Sequence, residues 1–144
     1  MAGETVKRTI CITIGEAPIT KKNHQQILRN RKTGAPFVAP SRQYKEYEAR
    51  CGQWLMLRGG CRMQTIDYPV NVKCIFYVPT RRRVDLTNLE ESIDDILVKF
   101  GILKDDSYTI LAGHDGSRVR IDKESPRTEI TITPMEEGEQ NEID

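Results

Sequence analysis

Residues 69–101 read PVNVKCIFYVPTRRRVDLTNLEESIDDILVKFG, and the spacing of apolar residues changes once within this stretch. Residues 69–78 alternate apolar with polar side chains and then become continuously apolar, which predicts a mostly buried strand that ends at Pro79. From Leu89 onward the apolar residues are three or four apart, as on one face of an amphipathic helix. A strand followed by a helix, each with one face to bury, is therefore the centre of the predicted fold.

The ends of this helix carry sequence signals of their own. Thr87 and Glu90 fit the capping box, in which a Thr at the N-cap precedes an acid at the third helical position. Gly101 follows the last apolar residue of the stripe and supplies the C-terminal stop. We therefore predict a helix that is capped by Thr87 and stops at Gly101.

A strand and a helix are also predicted before this stretch. Residues 8–14 alternate Thr with apolar residues, as in a strand. Residues 15–40 are rich in Pro and basic side chains and predict a long loop with room for a small hairpin. Ser41 is placed to cap a helix that ends near Gly59 and whose apolar positions follow the three and four spacing: Tyr44, Tyr47, Cys51, Trp54, Leu55 and Leu57.

Two strands are predicted after Gly101, at residues 108–112 and 127–133, and a charged turn at residues 104–107 precedes them. The predicted order is strand, helix, strand, helix, strand, strand. We therefore expect an α/β (α+β) fold, in which two main helices pack on a mixed β-sheet of about four strands because each amphipathic element must bury one face.

The chain has 144 residues, of which 38% are hydrophobic and 30% charged, a mixture typical of one globular domain. Its longest apolar run, Cys74 to Val78, is far below the roughly 18 residues of a membrane span. The first residues also lack the apolar core of a signal peptide, so we expect a cytoplasmic protein with no membrane partner. A single domain over residues 1–134 and an acidic, disordered tail over residues 135–144 are predicted.

Charge is distributed unevenly along the chain, although its net value is only +1. Residues 20–83 contain 14 Lys and Arg against three acids, whereas residues 84–144 contain six Lys and Arg against 16 acids. One interpretation is a basic surface for a polyanion beside a carboxylate cluster for a metal. The alternative is charge pairing within the molecule or between two copies of it.

Acidic residues are concentrated on the second predicted helix and around its ends. Asn88, Glu91 and Asp95 are three and four residues apart and share one helix face, although like charges at this spacing repel. Asp85 precedes the helix, where the helix dipole stabilises a carboxylate, and Asp106 follows it. If the chain reverses to bring Asp106 back, these oxygen ligands predict a Mg²⁺ site suited to phosphodiester hydrolysis. The alternative is a solvated helix face followed by an ordinary turn.

The order of these residues resembles one family of nucleases. Residues 81–89, RRRVDLTNL, are followed by a helix, Gly101 and Asp105-Asp106-Ser107, a pattern similar to the signature of the RusA family of Holliday-junction resolvases. The resemblance spans roughly residues 8–134. It implies a Mg²⁺-dependent endodeoxyribonuclease, with Mn²⁺ as an alternative cation and no small-molecule cofactor. It also implies a homodimer whose paired active sites nick two opposed strands of a four-way DNA junction symmetrically.

The resemblance assigns roles to individual positions. The family's first aspartate, its asparagine and its last aspartate fall on Asp85, Asn88 and Asp106. Two positions depart, because the family's second aspartate is Thr87 here and its lysine is Glu91. Our hypothesis is that Glu91, one turn beyond Thr87, reaches back and replaces the missing ligand. We therefore predict the catalytic residues Asp85, Glu91 and Asp106, the metal ligands Asp85, Glu91, Asp106 and Asp95, and the supporting residues Thr87, Asn88 and Asp105.

A set of basic residues is predicted to hold the DNA backbone. Lys and Arg are dense in the long loop, which has too few apolar residues to pack alone and so suits a segment that orders on phosphates. Solubility is the alternative explanation. The predicted DNA-binding residues are Lys21, Lys22, Asn23, Arg29, Arg31, Lys32, Arg81, Arg82 and Arg83.

Three other functions compete with this prediction. One is a junction-binding protein that the changes at Thr87 and Glu91 have deprived of catalysis. Another is an interaction domain whose basic and acidic halves pair between copies and which binds no nucleic acid. The third is a Mg²⁺ phosphohydrolase that acts on nucleotides, which the absence of a Gly-rich phosphate loop from the sequence disfavours.

Overall fold

The computed structural model describes residues 7–22, 25–57 and 64–135. Within these ranges the chain forms seven strands and two helices, in the order β1 (Ile10–Ile14), β2 (Gln25–Arg29), β3 (Pro36–Pro40), α1 (Arg42–Leu57), β4 (Val70–Val78), α2 (Leu86–Lys99), β5 (Leu111–Gly113), β6 (Arg118–Ile121) and β7 (Arg127–Pro134). The predicted α+β class is confirmed, and the predicted elements occur in the predicted order. Asn23 and residues 136–144 of the predicted tail lie outside the described residues.

Strand β4 lies at the centre of a five-stranded mixed sheet. It pairs antiparallel with β7, and β7 pairs antiparallel with β1. On its other side, β4 pairs in parallel with β5 near Val70 and with β6 from Ile75 to Val78. Strands β5 and β6 therefore form one sheet edge that is interrupted at residues 114–117, where the chain leaves the plane of pairing.

The two helices and the sheet share one hydrophobic core. Each fully buried Leu or Ile contributes about 1.5–3 kcal/mol of transfer free energy, so the apolar faces of both helices favour this arrangement. Helix α1 approaches the end of α2 so closely that a Cβ at Gly52 would overlap the ring of Phe100. The buried members of the predicted helical stripes are Tyr44, Tyr47, Cys51, Leu55, Leu89, Ile93, Ile96 and Leu97.

Helix α2 begins earlier than predicted. Its N-cap is Asp85, whose backbone is extended, and not Thr87. The capping-box prediction was wrong, because the N–H groups of Asn88 and Leu89 already donate to the carbonyl of Asp85 in the first turn. The carboxylate of Glu90 lies beside His114, with 3.3 Å between Oε2 and Nδ1. Asp is preferred over Thr at an N-cap, although the side chain of Asp85 makes no capping hydrogen bond to the helix backbone. Gly101 ends the helix region as predicted, in the left-handed conformation at φ 77° that favours glycine.

Two other regions differ from prediction. The strand predicted at residues 108–112 begins only at Leu111, because the carbonyl of Ser107 accepts the N–H groups of Ile110 and Leu111 in a turn. Strand β6 was not predicted, since its alternating pattern spans only four residues. The long loop at residues 15–40 contains the small hairpin that its sequence allowed for, β2–β3, whose strands pair with each other in a separate sheet.

The end of helix α1 is more exposed than its sequence predicts. Leu57 is 80% exposed, so its assignment to the buried stripe was wrong. Trp54 is half-exposed: its ring lies over Gly15 and its Nε1 donates to Glu16 Oε2 at 3.0 Å. Neither α1 nor α2 has the combination of length and apolar character needed to cross a membrane, in the part of the chain that the structure describes.

Candidate active site

A cavity of about 250 Å³ lies beside helix α2, and we call it the acidic pocket. Its walls are formed by Thr87, Glu90, Glu91, Asp94, Asp95, Asp106, Leu111 and His114. Three of the four predicted metal ligands, Glu91, Asp95 and Asp106, therefore border one cavity. The chain does reverse after α2 in the way that such an approach requires.

The path of the chain after α2 explains how Asp106 reaches this pocket. The segment that follows the helix runs beside Ile66, whose N–H and carbonyl both hydrogen-bond to its backbone. Residues 105–107 then turn, and the N–H of Ser107 donates to Asp105 Oδ1 at 2.7 Å. Hydrogen bonding by Ser107 lowers the pKa of Asp105. Asp105 therefore stabilises the turn, and Asp106 is the residue that borders the pocket.

The acids of α2 are crowded and partly desolvated. Thr87, Glu91 and Asp95 lie four residues apart in sequence, and Glu90 and Asp94 form a second row beside them, so that all five side chains share one side of the helix. Burial raises the pKa of Glu90, Asp94 and Asp95, because desolvation disfavours the charged form and neighbouring carboxylates add repulsion. A cation bound in the pocket would relieve both effects.

Asp85, predicted as a catalytic residue, lies outside this group. It is exposed at the N-cap of α2 and is not one of the residues that border the acidic pocket. Its Oδ2 accepts a hydrogen bond from Asn88 Nδ2 at 3.3 Å, so the two family positions contact each other. The structure thus brings Glu91, Asp95 and Asp106 together and leaves Asp85 at the helix end.

A second cavity of about 350 Å³ adjoins the first and contains basic residues; we call it the lysine pocket. It is bordered by Lys21, Lys22, Gln25, Asn88, Glu91, Ser92 and Asp95, and so shares two acids with the acidic pocket. The backbone N–H of Lys21 donates to Ser92 Oγ at 3.0 Å, and this hydroxyl donates to the carbonyl of Asn88. The segment that carries the two lysines is therefore fastened to α2 beside the acids.

The other predicted DNA-binding residues lie farther along the surface. Arg29, Arg31 and Lys32 are exposed on and next to the hairpin β2–β3. Arg82 and Arg83 border a cavity of about 460 Å³ together with the segment at residues 17–20. Arg81 is exposed beside them. The sequence prediction for Asn23 falls outside the described residues.

His114 is the residue of this site that the sequence did not indicate. Its Nε2 lies 2.9 Å from Asp94 Oδ2, and its Nδ1 lies 2.9 Å from the carbonyl oxygen of Val72 and 3.3 Å from Glu90 Oε2. A carbonyl and a carboxylate both accept hydrogen bonds, so both ring nitrogens donate and the imidazole is charged. The bond to Asp94 is the main cause of a pKa raised from 6.5 to about 9.

One sequence signal could have pointed to part of this arrangement. Glu90 and Asp94 are four residues apart and share a helix row, which marks a second pair of acids beside the predicted one. No comparable signal identifies His114, because its approach depends on the interruption between β5 and β6, which is a property of the tertiary structure.

The donor set of the acidic pocket fits a hard divalent cation. No three His, Cys, Asp or Glu side chains are already assembled as a metal site among the residues that the structure describes. However, the carboxylates around the pocket supply the oxygen ligands that Mg²⁺ and Mn²⁺ take. Asp94 Oδ1 is buried and has no hydrogen-bond partner in the described ranges, as expected for an atom whose partner is a ligand.

Comparison with known proteins identifies the family of the chain. The family model described as "Endodeoxyribonuclease RusA" matches residues 17–133, which include both helices and every residue of the acidic pocket. The chain is also 30% identical over 111 residues to the "Crossover junction endodeoxyribonuclease RusA" of Aquifex aeolicus (strain VF5), which covers 77% of this chain and 82% of that protein. The resemblance seen in the sequence is confirmed, and the chain belongs to the RusA family of endodeoxyribonucleases.

Proposed function

We propose that this chain is a Mg²⁺-dependent, structure-selective endodeoxyribonuclease that resolves four-way DNA junctions by paired symmetric nicks. Family membership and the crossover-junction activity named for the Aquifex relative support the reaction and the branched substrate. The observation that carries the proposal is the contact between two pockets of opposite character. The acidic and lysine pockets share Glu91 and Asp95, so a phosphate held by lysines would lie beside the carboxylates.

Glu91, Asp95 and Asp106 are the residues that would hold the cation. A divalent cation bound there supplies Lewis-acid polarisation of the phosphodiester and activation of water. Mn²⁺ is the alternative cation because it accepts the same oxygen ligands. The side chain of Glu91 lies between the two pockets, which suits a carboxylate that takes the place of the acid absent at Thr87. Asp85 would act from the helix end, through Asn88.

The lysines would bind and orient the DNA backbone. Lys21 and Lys22 border the lysine pocket, and the charge of Lys21 opposes the rise in the pKa of Asp95 that burial and neighbouring acids cause. Exposed arginines at residues 81–83 and on the hairpin extend the positive surface beyond the site. Such contacts neutralise phosphates without reading bases, which suits recognition of a branched shape.

Paired nicks on opposed strands require two active sites, and we propose a homodimer for this reason. The hairpin β2–β3 offers apolar surface for self-association on both of its faces, because large hydrophobic side chains are exposed on each: Ile27 and Val38 on one face, and Leu28 and Phe37 on the other. Exposed Met56 and Leu57 at the end of α1 add to the apolar surface of the molecule. Exposed apolar patches of this kind mark interaction sites in soluble proteins.

The test is cleavage of a labelled, mobile four-way junction beside a linear duplex of the same sequence. Wild type and Asp106→Asn are compared in Mg²⁺ and in EDTA. We expect paired nicks in the junction alone, and we expect EDTA and the variant to abolish them. Equal cutting of the linear duplex would contradict the proposed selectivity.

A second candidate is a protein that binds junctions without cutting them. Thr87 borders the acidic pocket at the position where the family carries an acid. The absence of a carboxylate at this position favours a protein that binds without cutting. Tight junction binding by the wild type with no product in Mg²⁺ or Mn²⁺ would establish it in place of the nuclease.

A further inference from the structure

The carboxylate of Asp94 is held in the acidic pocket with one oxygen unused. Asp94 is only 8% exposed and borders the pocket together with Asp106 and Glu91. Its Oδ2 accepts the Nε2–H of His114, whereas its Oδ1 is buried with no hydrogen-bond partner in the part of the chain that the structure describes. A buried carboxylate oxygen without a partner is unfavourable unless a ligand satisfies it.

The chemistry of the pocket indicates what that ligand is. Asp106 and Glu91 border the same pocket as Asp94, so an anionic ligand there would be repelled by several carboxylates. A hydrogen-bond donor alone would leave the surplus negative charge of the pocket in place. A divalent cation satisfies the free oxygen and the charge together.

His114 is fixed in a way that suits a positioning role. Its Nδ1 donates to the carbonyl of Val72 on the central strand β4, and its Nε2 donates to Asp94. Both nitrogens are therefore occupied by protons, and the ring cannot itself bind a metal ion. By taking Oδ2, His114 leaves Oδ1 as the oxygen that is available to a ligand.

We propose that Asp94 is a further ligand of the active-site cation and that His114 is its positioning residue. This inference rests on the proposed nuclease function and names a carboxylate that the family signature does not include. Asp94 lies two helical turns beyond Thr87, on the same side of α2. Together with Glu91 it compensates for the acid that is missing at Thr87.

The test is calorimetric titration of the full chain with Mg²⁺ in the absence of DNA, for wild type, Asp94→Asn, His114→Gln and Asp106→Asn. Glu124→Gln, an exposed acid in the β6–β7 connection, is the matched control. We expect Asp94→Asn to weaken Mg²⁺ affinity at least tenfold and His114→Gln to weaken it about threefold to tenfold, as is typical when a group that orients a ligand is removed. The control should bind as wild type does.

A second readout separates positioning from general loss of structure. For His114→Gln, the Mg²⁺ concentration that gives half-maximal junction cleavage should rise, while the rate at saturating Mg²⁺ should return to within about twofold of wild type. If Asp94→Asn does not fold, as judged by circular dichroism, Asp94→Glu replaces it, and we expect this variant to keep measurable Mg²⁺ binding.

The outcomes distinguish this inference from the proposed function. Wild-type Mg²⁺ affinity in Asp94→Asn, or in Asp94→Glu where that variant replaces it, would overturn the role of Asp94. If Asp106→Asn loses Mg²⁺ binding in the same experiment, the proposed nuclease function still stands. A saturating rate of His114→Gln that stays low at any Mg²⁺ concentration would overturn the positioning role. No Mg²⁺ binding and no cleavage by the wild type would instead reject the proposed function itself.

Discussion

Nε2 of His114 lies 2.9 Å from Oδ2 of Asp94, although the two residues are 20 positions apart in the chain. The bond joins the interrupted sheet edge to helix α2 across the acidic pocket. Since Nδ1 donates to Val72 on β4 at the same time, one imidazolium ties together the sheet, its edge and the helix that carries the acids. The stability of the fold and the geometry of the site therefore depend on the same side chain.

This side chain should make stability depend on pH. The pKa of His114 is about 9 in the folded protein against 6.5 for the free group, so its stabilisation is complete below pH 6.5 and is lost as the pH rises through 9. The full effect is at most about 3 kcal/mol, because burial of the Asp94 carboxylate offsets part of it. Urea unfolding of wild type and His114→Gln in EDTA, from pH 6 to 9.5, measures it. A difference between the two that does not shrink with rising pH would contradict the expectation.

Removing Glu91 should impair the reaction strongly. Glu91 borders both pockets, so Glu91→Ala takes away a carboxylate that faces the cation and the phosphate together. We expect roughly a 100-fold loss of junction cleavage and weaker Mg²⁺ binding, with junction affinity in EDTA unchanged or higher. Glu124→Ala is the control. The hypothesis is contradicted if Glu91→Ala keeps wild-type cleavage and Mg²⁺ binding while Asp85→Ala abolishes both.

The two departures from the family pattern should compensate for each other. Glu91→Lys alone removes a carboxylate and places a cation in the pocket, so we expect junction cleavage to fall by roughly 100-fold or more but to stay measurable. Thr87→Asp in the same chain restores an acid one helical turn away, and the double variant should recover activity roughly tenfold, a coupling of about 1.4 kcal/mol. The measurement is single-turnover cleavage of the junction by wild type, the two single variants and the double variant, which together form a double-mutant cycle. Additive effects of the two changes would mean that the positions act independently.

The lysine pocket should control affinity for DNA and not the chemistry. We expect the double variant Lys21→Ala with Lys22→Ala to bind the junction more weakly in EDTA. The slope of its log binding constant against log salt concentration should become shallower by the amount that corresponds to the loss of about two phosphate contacts. Lys123→Ala, which changes an exposed lysine remote from both pockets, should leave the salt dependence unchanged. Fluorescence anisotropy between 50 and about 200 mM salt provides the measurement. An equal fall in slope for the Lys123 variant would show that the effect is only one of net charge.

Gly52 should tolerate no side chain. A Cβ at this position would overlap the ring of Phe100, so Gly52→Ala should destabilise the fold by about 1–3 kcal/mol. Gln53→Ala, at the next and exposed position of α1, should have little effect. Adding Phe100→Leu to Gly52→Ala should restore part of the loss in urea unfolding. Destabilisation that persists unchanged in the double variant would show that the clash is not its cause.

Local sequence predicted the elements that carry the site but not the way they meet. Helix α2 and strand β4 could be predicted from the spacing of their apolar residues. Asp106 could be proposed as a site residue because the charged turn that contains it is visible in the sequence. The predicted start of α2 was two residues late, because the first turn closes on the carbonyl of Asp85, which the local sequence does not distinguish from Thr87 as a cap. His114 could not be predicted, because only the pairing of β4 with two separate short strands brings it to the helix. Whether Asp85 acts in catalysis stays a prediction.

The interruption at residues 114–117 has a consequence for solubility. Where the edge is broken, the carbonyl of Val72 is bonded by the ring of His114 and the N–H of Cys74 by the hydroxyl of Ser117. Because these two backbone groups of β4 already have hydrogen-bond partners, a strand of another molecule cannot pair with them. This edge therefore offers no continuous row of free backbone groups for such pairing. Residues 114–117, which place His114 beside the acids, therefore also hinder edge-to-edge aggregation at this edge of the sheet.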